Sequence, residues 1–481
     1  MNRKKIVIWS MFMGAIFVFV LMFFTQIHPI IIFDTDDWCY AYIHRSALPL
    51  WKAWNPIRIF PEVFMPLVSM IGVYAFAPLT GDYFGALTLS YALSLAIAFT
   101  MLIYMLGRNF KTYPFWLILF FIICHFWILR TTQNGNYYML STIDACTYFF
   151  YVIPNLLNCI VVSWWMRGGG GYFSHLSRKL RAVFLFLVYL SIFSNLWAGI
   201  ITASYVGSIL LIDIVITLKQ RTWKLKIYCR DHFPELAVIF IWLLSQIYEV
   251  NGGRAAFISS GSYMDSLRLA LNVFKGIFGS LNPVFALSST LIILAGIVLT
   301  VKNKQWKRLK ILVVTFISFL LMACYLILSC AKAGSHYLSR PDVFYGCFFF
   351  CMIIILHCAH QIFDSVPRIR PVIPLLLFIA FVDCNTSGRT FRESNCLQLP
   401  PQICLDISND IKQQFLDAEA SGAGEIVLYV PFFEGEGNWP LSISEADHLS
   451  SHLYKMGIIK KQIKVIEMIP TREKNSVFHI N

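Results

Sequence analysis

The chain has 481 residues, of which 58% are hydrophobic, 16% aromatic and only 14% charged, and its mean hydropathy is +0.65. A soluble globular chain carries about a quarter charged residues; this low charge, with uncharged runs of about 20 residues and more, excludes a cytosolic enzyme, a disordered chain and a nucleic-acid-binding module. The net charge of +13 divides unevenly, since residues 1–383 hold 30 Lys and Arg against 14 Asp and Glu, whereas residues 384–481 hold 9 against 12. The pattern is that of a basic membrane unit and a mildly acidic tail in different surroundings.

Residues 6–33 contain no Asp, Glu, Lys or Arg and follow Arg3-Lys4-Lys5 without a small-residue cleavage site, which is the pattern of a signal anchor. A crossing helix needs about 20 mostly apolar residues. Further candidates are 84–107, 114–130, 148–166, 182–196, 198–218, 233–249, 284–301, 311–330, 342–361 and 371–383. Residues 62–79 are also apolar, but they carry Glu62, Pro66 and Pro78 just after Pro61. Charge decides their treatment. If they do not cross, the cytoplasmic segments 1–5, 108–113, 167–181, 219–232, 302–310 and 362–370 hold 21 Lys and Arg, and the outer loops of residues 1–383 hold nine. If they cross, every later basic loop inverts, against the positive-inside rule. The sequence therefore predicts an all-α polytopic membrane protein of about eleven transmembrane helices with one re-entrant or interfacial segment, the N-terminus inside and the tail outside. Gly168–Gly171 lies inside, lacks the Lys-Ser/Thr of a phosphate loop and reads as a linker. In the tail, residues 384–481, the spacing predicts helices over Asp406–Ala420 and Ser444–Met456 and strands over Glu425–Val430 and Ile463–Ile469, a small α/β domain. Cys396 and Cys404 bracket a Pro-Pro turn there and could pair in an oxidising compartment. No CxxC pair or Cys/His zinc spacing occurs, so no metal and no cofactor are expected.

Under this topology most acids of the membrane unit fall on the outer side, a skew that insertion rules leave unexplained. The first outer loop is the richest stretch: Phe33-Asp34-Thr35-Asp36-Asp37-Trp38-Cys39-Tyr40, then His44-Arg45 and Trp54-Asn55-Pro56-Ile57-Arg58. Three carboxylates within four residues repel one another, and one held beside a hydroxyl serves as a general base. The plainer reading is an acidic loop in which an Asp caps the next helix. Trp38 and Tyr40 offer surfaces for a sugar. Tyr248-Glu249-Val250-Asn251-Gly252-Gly253-Arg254 sets a carboxylate and an Arg around a flexible Gly pair. The Arg fork suits phosphate oxygens, or else the side chain snorkels to the headgroups. The stretch from Lys332 to Asp342 brings Lys332, His336 and Arg340 close to one membrane surface, again suited to a lipid phosphate; its alternative is a structural Arg340–Asp342 contact. Gln133–Tyr138, with Tyr137 and Tyr138, offers amides and rings for sugar hydroxyls, or is an ordinary polar loop.

A signal anchor ending in an acidic outer loop, many spans, an Arg-bearing Gly loop and an outer C-terminal domain resemble the multi-spanning GT-C glycosyltransferases. Among these the chain is most similar to the serotype-converting O-antigen glucosyltransferases of enteric bacteria and their phages. The resemblance rests on Asp36-Asp37, Tyr137-Tyr138, Gly253-Arg254, Ser339-Arg340 and the Trp439-Pro440 region, and the chain departs from it in crowding three acids into the first loop. It implies an enzyme of the bacterial inner membrane with a periplasmic C-terminal domain. A sugar, glucosyl in that family, would pass from a polyprenyl-phosphate donor such as undecaprenyl phosphate to a lipid-linked O-antigen or other surface glycan. Asp34, Asp36 or Asp37 would be the base, and Arg254, Arg340, Lys332, His336 and Arg58 would face the donor phosphate. Trp38, Tyr40, Tyr137, Tyr138 and Glu249 would meet the sugar or acceptor. The implied partners are membrane lipids, a flippase and a donor-synthesising glycosyltransferase, with no nucleic acid. The rival reading is a transporter or flippase of a lipid-linked sugar, which favours inverted repeats and acids in broken midplane helices; the acids here cluster at the surface. A third is an accessory partner of a glycan-assembly complex.

Overall fold

The computed structural model describes residues 3–110, 114–132, 135–142, 144–168, 176–221, 224–257, 262–369, 371–386 and 399–480. Gly169–Gly171, Gln133, Asn134 and Cys396, named above, lie outside them. The chain is an all-α polytopic membrane protein: among the described residues nine helices are long and apolar enough to cross a bilayer.

Helix α1 (Arg3–Met22) continues as a π-turn over Phe23–Ile27 and stops where Pro29 has no amide to donate. Helix α2 (Thr35–Tyr40) follows at the mouth of the first outer loop. Helix α3 (Ile59–Ile71), a π-turn (Gly72–Phe76) and α4 (Ala77–Thr80) form one apolar rod of 22 residues, followed by α5 (Tyr83–Gly107). The most enclosed helices are those that end the Ala145–Arg167 span and the helix Pro341–Ser365, and the other long helices turn apolar faces outward. Polar ties cross between them: Thr202 Oγ1 donates to Asn158 Oδ1 at 2.6 Å, and Ser318 bonds Ser208 at 3.0 Å.

Three of the predicted spans are helices too short to count among these nine: Pro114–Phe126 has 13 residues, and Arg178–Ile192 and Val372–Thr386 have 15 each. A 13-residue helix rises about 20 Å, against a hydrocarbon core of about 30 Å. Conversely, the rod over Ile59–Thr80 is long enough to cross, although it was expected not to. Its ends are informative. At the first, Phe60 N donates to the Phe193 carbonyl, beside the hairpin that Asn195 caps. Just past the second, the Tyr83 hydroxyl bonds His452 Nε2 of the tail at 2.6 Å, and Phe84 packs on Trp38. Arg58, just before the first end, lines a cavity with residues of the tail, and Tyr83, just past the second, bonds the tail directly.

Several elements escaped the sequence reading, among them these. A hairpin pairs β1 (Arg130–Thr132) with β2 (Gly135–Tyr137), and an amphipathic helix runs over Tyr263–Gly279, where Asp265, Arg268 and Lys275 interrupt any apolar run.

In the tail, helix Pro401–Ala420 precedes β3 (Glu425–Pro431), helix Ala446–Lys455 and β4 (Lys464–Thr471). The two strands pair in parallel, with Glu425 opposite Lys464 and a bulge between Ile426 and Val427. Ile407, Ile411 and Phe415 are buried on one helix face, as their spacing requires. The tail is fastened to the first outer loop. Thr35 donates from both its amide and Oγ1 to the Pro440 carbonyl, each at 3.0 Å, and Ser442 N returns a bond to Thr35 Oγ1 at 2.9 Å. Ser408 Oγ donates to the Ile32 carbonyl at 3.0 Å. His452 Nδ1 lies 3.0 Å from the Trp38 carbonyl and must therefore donate, which leaves Nε2 to accept from Tyr83. Burial holds this imidazole neutral, its pKa lowered to about 4.

Candidate active site

Helix α2 is set by its own acids. Asp34 is extended and caps it, its carboxylate accepting from Asp37 N at 2.9 Å. Asp37, three residues into the helix, reaches back: Oδ2 accepts from Phe33 N at 3.0 Å, and Oδ1 accepts from Cys146 N at 2.6 Å. Two of the three acids are thus used up in shaping the loop. Asp36 is left over. Among the described residues its carboxylate has neither hydrogen bond nor ion pair, and it faces a cavity of ≈580 Å³.

Charges of both signs line the cavity: Asp34, Asp36 and Asp144 with the tail's Glu445, and Arg58, Arg254 and Arg340. The arginines are held by aromatic rings and loops. Arg58 lies over Phe150 at 5.3 Å and Tyr151 at 5.9 Å. Arg340 lies over Tyr151 at 4.7 Å while Nε and Nη2 clasp Asp342 at 3.1 and 2.6 Å, so the structural contact of the sequence reading exists and Arg340 still faces the cavity. Arg254 reaches Asn55 Oδ1 at 3.4 Å, and its loop is pinned by Gly253 N to the Ala53 carbonyl and Arg254 N to the Trp54 carbonyl. The glycine pair is a matter of close approach rather than flexibility: a Cβ on Gly252 would stand 2.6 Å from Pro56, and one on Gly253 would stand 3.1 Å from Trp54 Cα.

Burial raises the pKa of Asp36; Glu445 adds to the rise, and Arg254, Arg58 and His448 oppose it. A carboxylate so placed is a stronger base than one in water. Asp34 and Asp37 are pushed well up, first by burial and then by neighbouring carboxylates, and Asp144 is pushed up to about 6 by burial against the bonds it accepts from Thr147. Asp34, Asp37 and Asp144 bring one oxygen each within 4.8 Å of one another. This trio is where a divalent cation would be held among the described residues, although the sequence reading expected no metal.

The rise at Asp144 carries a sign. A carboxyl with a folded pKa above its unfolded one adds stability below the unfolded value, about 4, and loses it as pH rises through about 6. Relative to Asp144→Asn, the wild type should therefore melt at progressively lower temperature between pH 4 and pH 7. A constant difference in Tm would overturn the shift, and a difference that closes on adding Mg²⁺ would place a cation in the trio.

Of the residues singled out from the sequence, Asp34, Asp36, Tyr40, Arg58, Arg254 and Arg340 line the cavity. Asp37 is buried behind it. Trp38 is no sugar platform: it is fully enclosed between Phe84 and His452. Tyr138 is likewise core, packed on Phe126 and His28, and Tyr137 lies on the β-hairpin under Arg130. Lys332 and His336 are exposed outside the lining, because the 3₁₀ turn over Ser335–Ser339 directs Tyr337 inward instead. Glu249 is not in the lining but lies close enough to Arg58 and Arg254 to feel their charge. The sequence reading missed Asp144, Cys146, Thr147 and Tyr151 as wall residues. An Asp three residues before a Thr at a helix start was a readable cap signal, and Thr147 N and Oγ1 both bond Asp144. It also missed Glu445 and His448, which no local pattern marks.

No protein-family model matches the chain, and neither the comparison with curated proteins nor that with solved structures yields a match.

Proposed function

We propose that this chain is an integral-membrane glycosyltransferase that moves a hexosyl group, glucosyl by the family resemblance, from a polyprenyl-phosphate donor to a lipid-linked O-antigen or other surface glycan. The observation that carries the reading is one unengaged carboxylate, Asp36, in a cavity that three arginines also line. Asp36 takes the proton of an acceptor hydroxyl as that oxygen attacks the anomeric carbon. The bond from that carbon to the donor phosphate breaks, and the polyprenyl phosphate departs with charge that Arg58, Arg254 and Arg340 oppose. Such a leaving group needs no nucleotide-binding domain. A carrier that only moved lipid-linked sugar would have no use for an unengaged base in the same cavity as a cluster of arginines.

The topology that fits is eleven spans, with Ile59–Thr80 along the outer interface and the tail in the periplasm of a bacterial inner membrane. A phosphatase fused after residue 480 should be active and a cytoplasmic reporter silent; the reverse would mean that Ile59–Thr80 crosses or that Val372–Thr386 does not. The function itself is tested by mass spectrometry of surface polysaccharide from cells with and without the protein. One added hexose per repeat, present only with the protein, is the expected result. Identical polysaccharides, with the protein present in the membrane, would overturn the reading.

A further inference from the structure

The wall of the cavity farthest along the chain comes from the tail: Trp439, Glu445 and His448 all line it. Each is set in place. Trp439 stands on a loop that Asn438 braces by accepting from Phe433 N at 2.8 Å and donating to the Pro431 and Leu441 carbonyls at 3.1 and 3.2 Å. Its next residue, Pro440, is the anchor for Thr35. Gly435 lets the loop close, since a Cβ there would stand 2.7 Å from the Trp439 carbonyl. His448 has Nδ1 2.9 Å from the Tyr42 hydroxyl, which leaves Nε2 as its second polar atom. Among the described residues the Glu445 carboxylate has no hydrogen bond or ion pair, and it is close enough to Asp36 to act on its charge.

A half-buried indole beside an unengaged carboxylate and an imidazole is the equipment for a pyranose: the ring packs its C–H face on the aromatic, and hydroxyls bond the polar groups. The charge of the wall narrows the choice. Asp36 and Glu445 both line this space, so an acceptor that sets its own carboxylate between them is disfavoured. Building on the transferase reading, we propose that the tail forms the acceptor subsite and that it selects a neutral sugar: the ring lies on Trp439, its hydroxyls engage Glu445 and His448, and one hydroxyl is presented to Asp36. The arginines are left to the donor.

The test uses full-length protein in nanodiscs with undecaprenyl-phosphate glucose as donor and paired octyl glycosides, each neutral hexoside against the matching uronide, as acceptor probes. Trp439→Ala and Glu445→Gln should each raise the KM for the best neutral hexoside about tenfold or more, while the KM for donor stays within twofold. Glu445→Gln should also narrow the preference for hexoside over uronide by about tenfold. His448→Gln, which keeps a polar group, should raise the acceptor KM less than His448→Ala. Equal rises in donor and acceptor KM, or an unchanged acceptor KM, would overturn the proposal. Direct binding of the same octyl glycosides, read by isothermal titration calorimetry, separates the two ideas. Binding of hexoside that is lost in Trp439→Ala, in a protein that transfers no sugar, would sink the transferase reading and leave the subsite standing. Transfer with hexoside binding indifferent to Trp439 and Glu445 would do the opposite.

Discussion

Asp36→Asn should abolish sugar transfer, by roughly 10²–10⁴-fold as for loss of a general base, while the protein inserts and melts as the wild type does. The carboxylate of Asp36 holds no part of the fold together, so its loss should be silent in stability. Asp37→Asn should do the reverse. Both oxygens of Asp37 accept backbone N–H groups, from Phe33 and from Cys146, and an amide would turn its own N–H₂ against one of them. Leaving a buried donor unpaired costs about 1–3 kcal/mol, so a lower Tm and a reduced yield are expected, with activity falling in proportion to the folded protein. Asp34→Asn should be the mildest, because Asn caps a helix as well as Asp does and keeps the bond from Asp37 N. The measurement is transfer per folded molecule beside a thermal melt for each variant. Full activity in Asp36→Asn, or an Asp37→Asn that is stable and inactive, would move the base to Asp37.

The second large effect is expected at the arginines of the cavity. Arg58→Lys should lower kcat by about 10²-fold, the scale of removing one preorganised charge donor. Arg58 presents a flat guanidinium over Phe150 and Tyr151, and an ammonium neither spreads over two rings nor forks two oxygens. Arg340→Lys should act likewise and also cost stability, since Nε and Nη2 hold the buried Asp342. Arg254→Lys should be milder in folding, because its loop is pinned through the backbone. An arginine that merely anchors at the headgroups tolerates Lys. Wild-type kcat in all three Lys variants, with donor KM unchanged, would remove these arginines from the chemistry.

Much of this was legible in the chain. Apolar runs marked the long helices, and the tail's strands and helices fell within a few residues of their predicted ends because alternation and helical spacing there are undisturbed. The first loop stood out in the sequence by its acids, and it lines the cavity. Which acid is left unengaged there did not, because that depends on Asp34 being the cap: the cap fixes where the helix begins, and the beginning fixes which side of it Asp36 occupies. Trp38 misled for a similar reason, since one step along the same helix it points into the packing against Phe84. The hairpin after Phe126 and the helix Tyr263–Gly279 were hidden by shortness and by charge. Glu445 and His448 lie some 400 positions from Asp36, and only the folded chain brings them near.

The grip of Thr35 on Pro440 and Ser442 has a consequence for the order of biogenesis. A ribosome finishes α2 long before it reaches the Trp439 loop, and every intervening helix must be threaded into the bilayer in the meantime. Throughout that interval Thr35 lacks the Pro440 and Ser442 partners that hold the acidic loop, and the cavity lacks Trp439, Glu445 and His448. The cavity is therefore complete only when the tail docks, which makes docking of the tail the last step of its assembly however early the helices are in place.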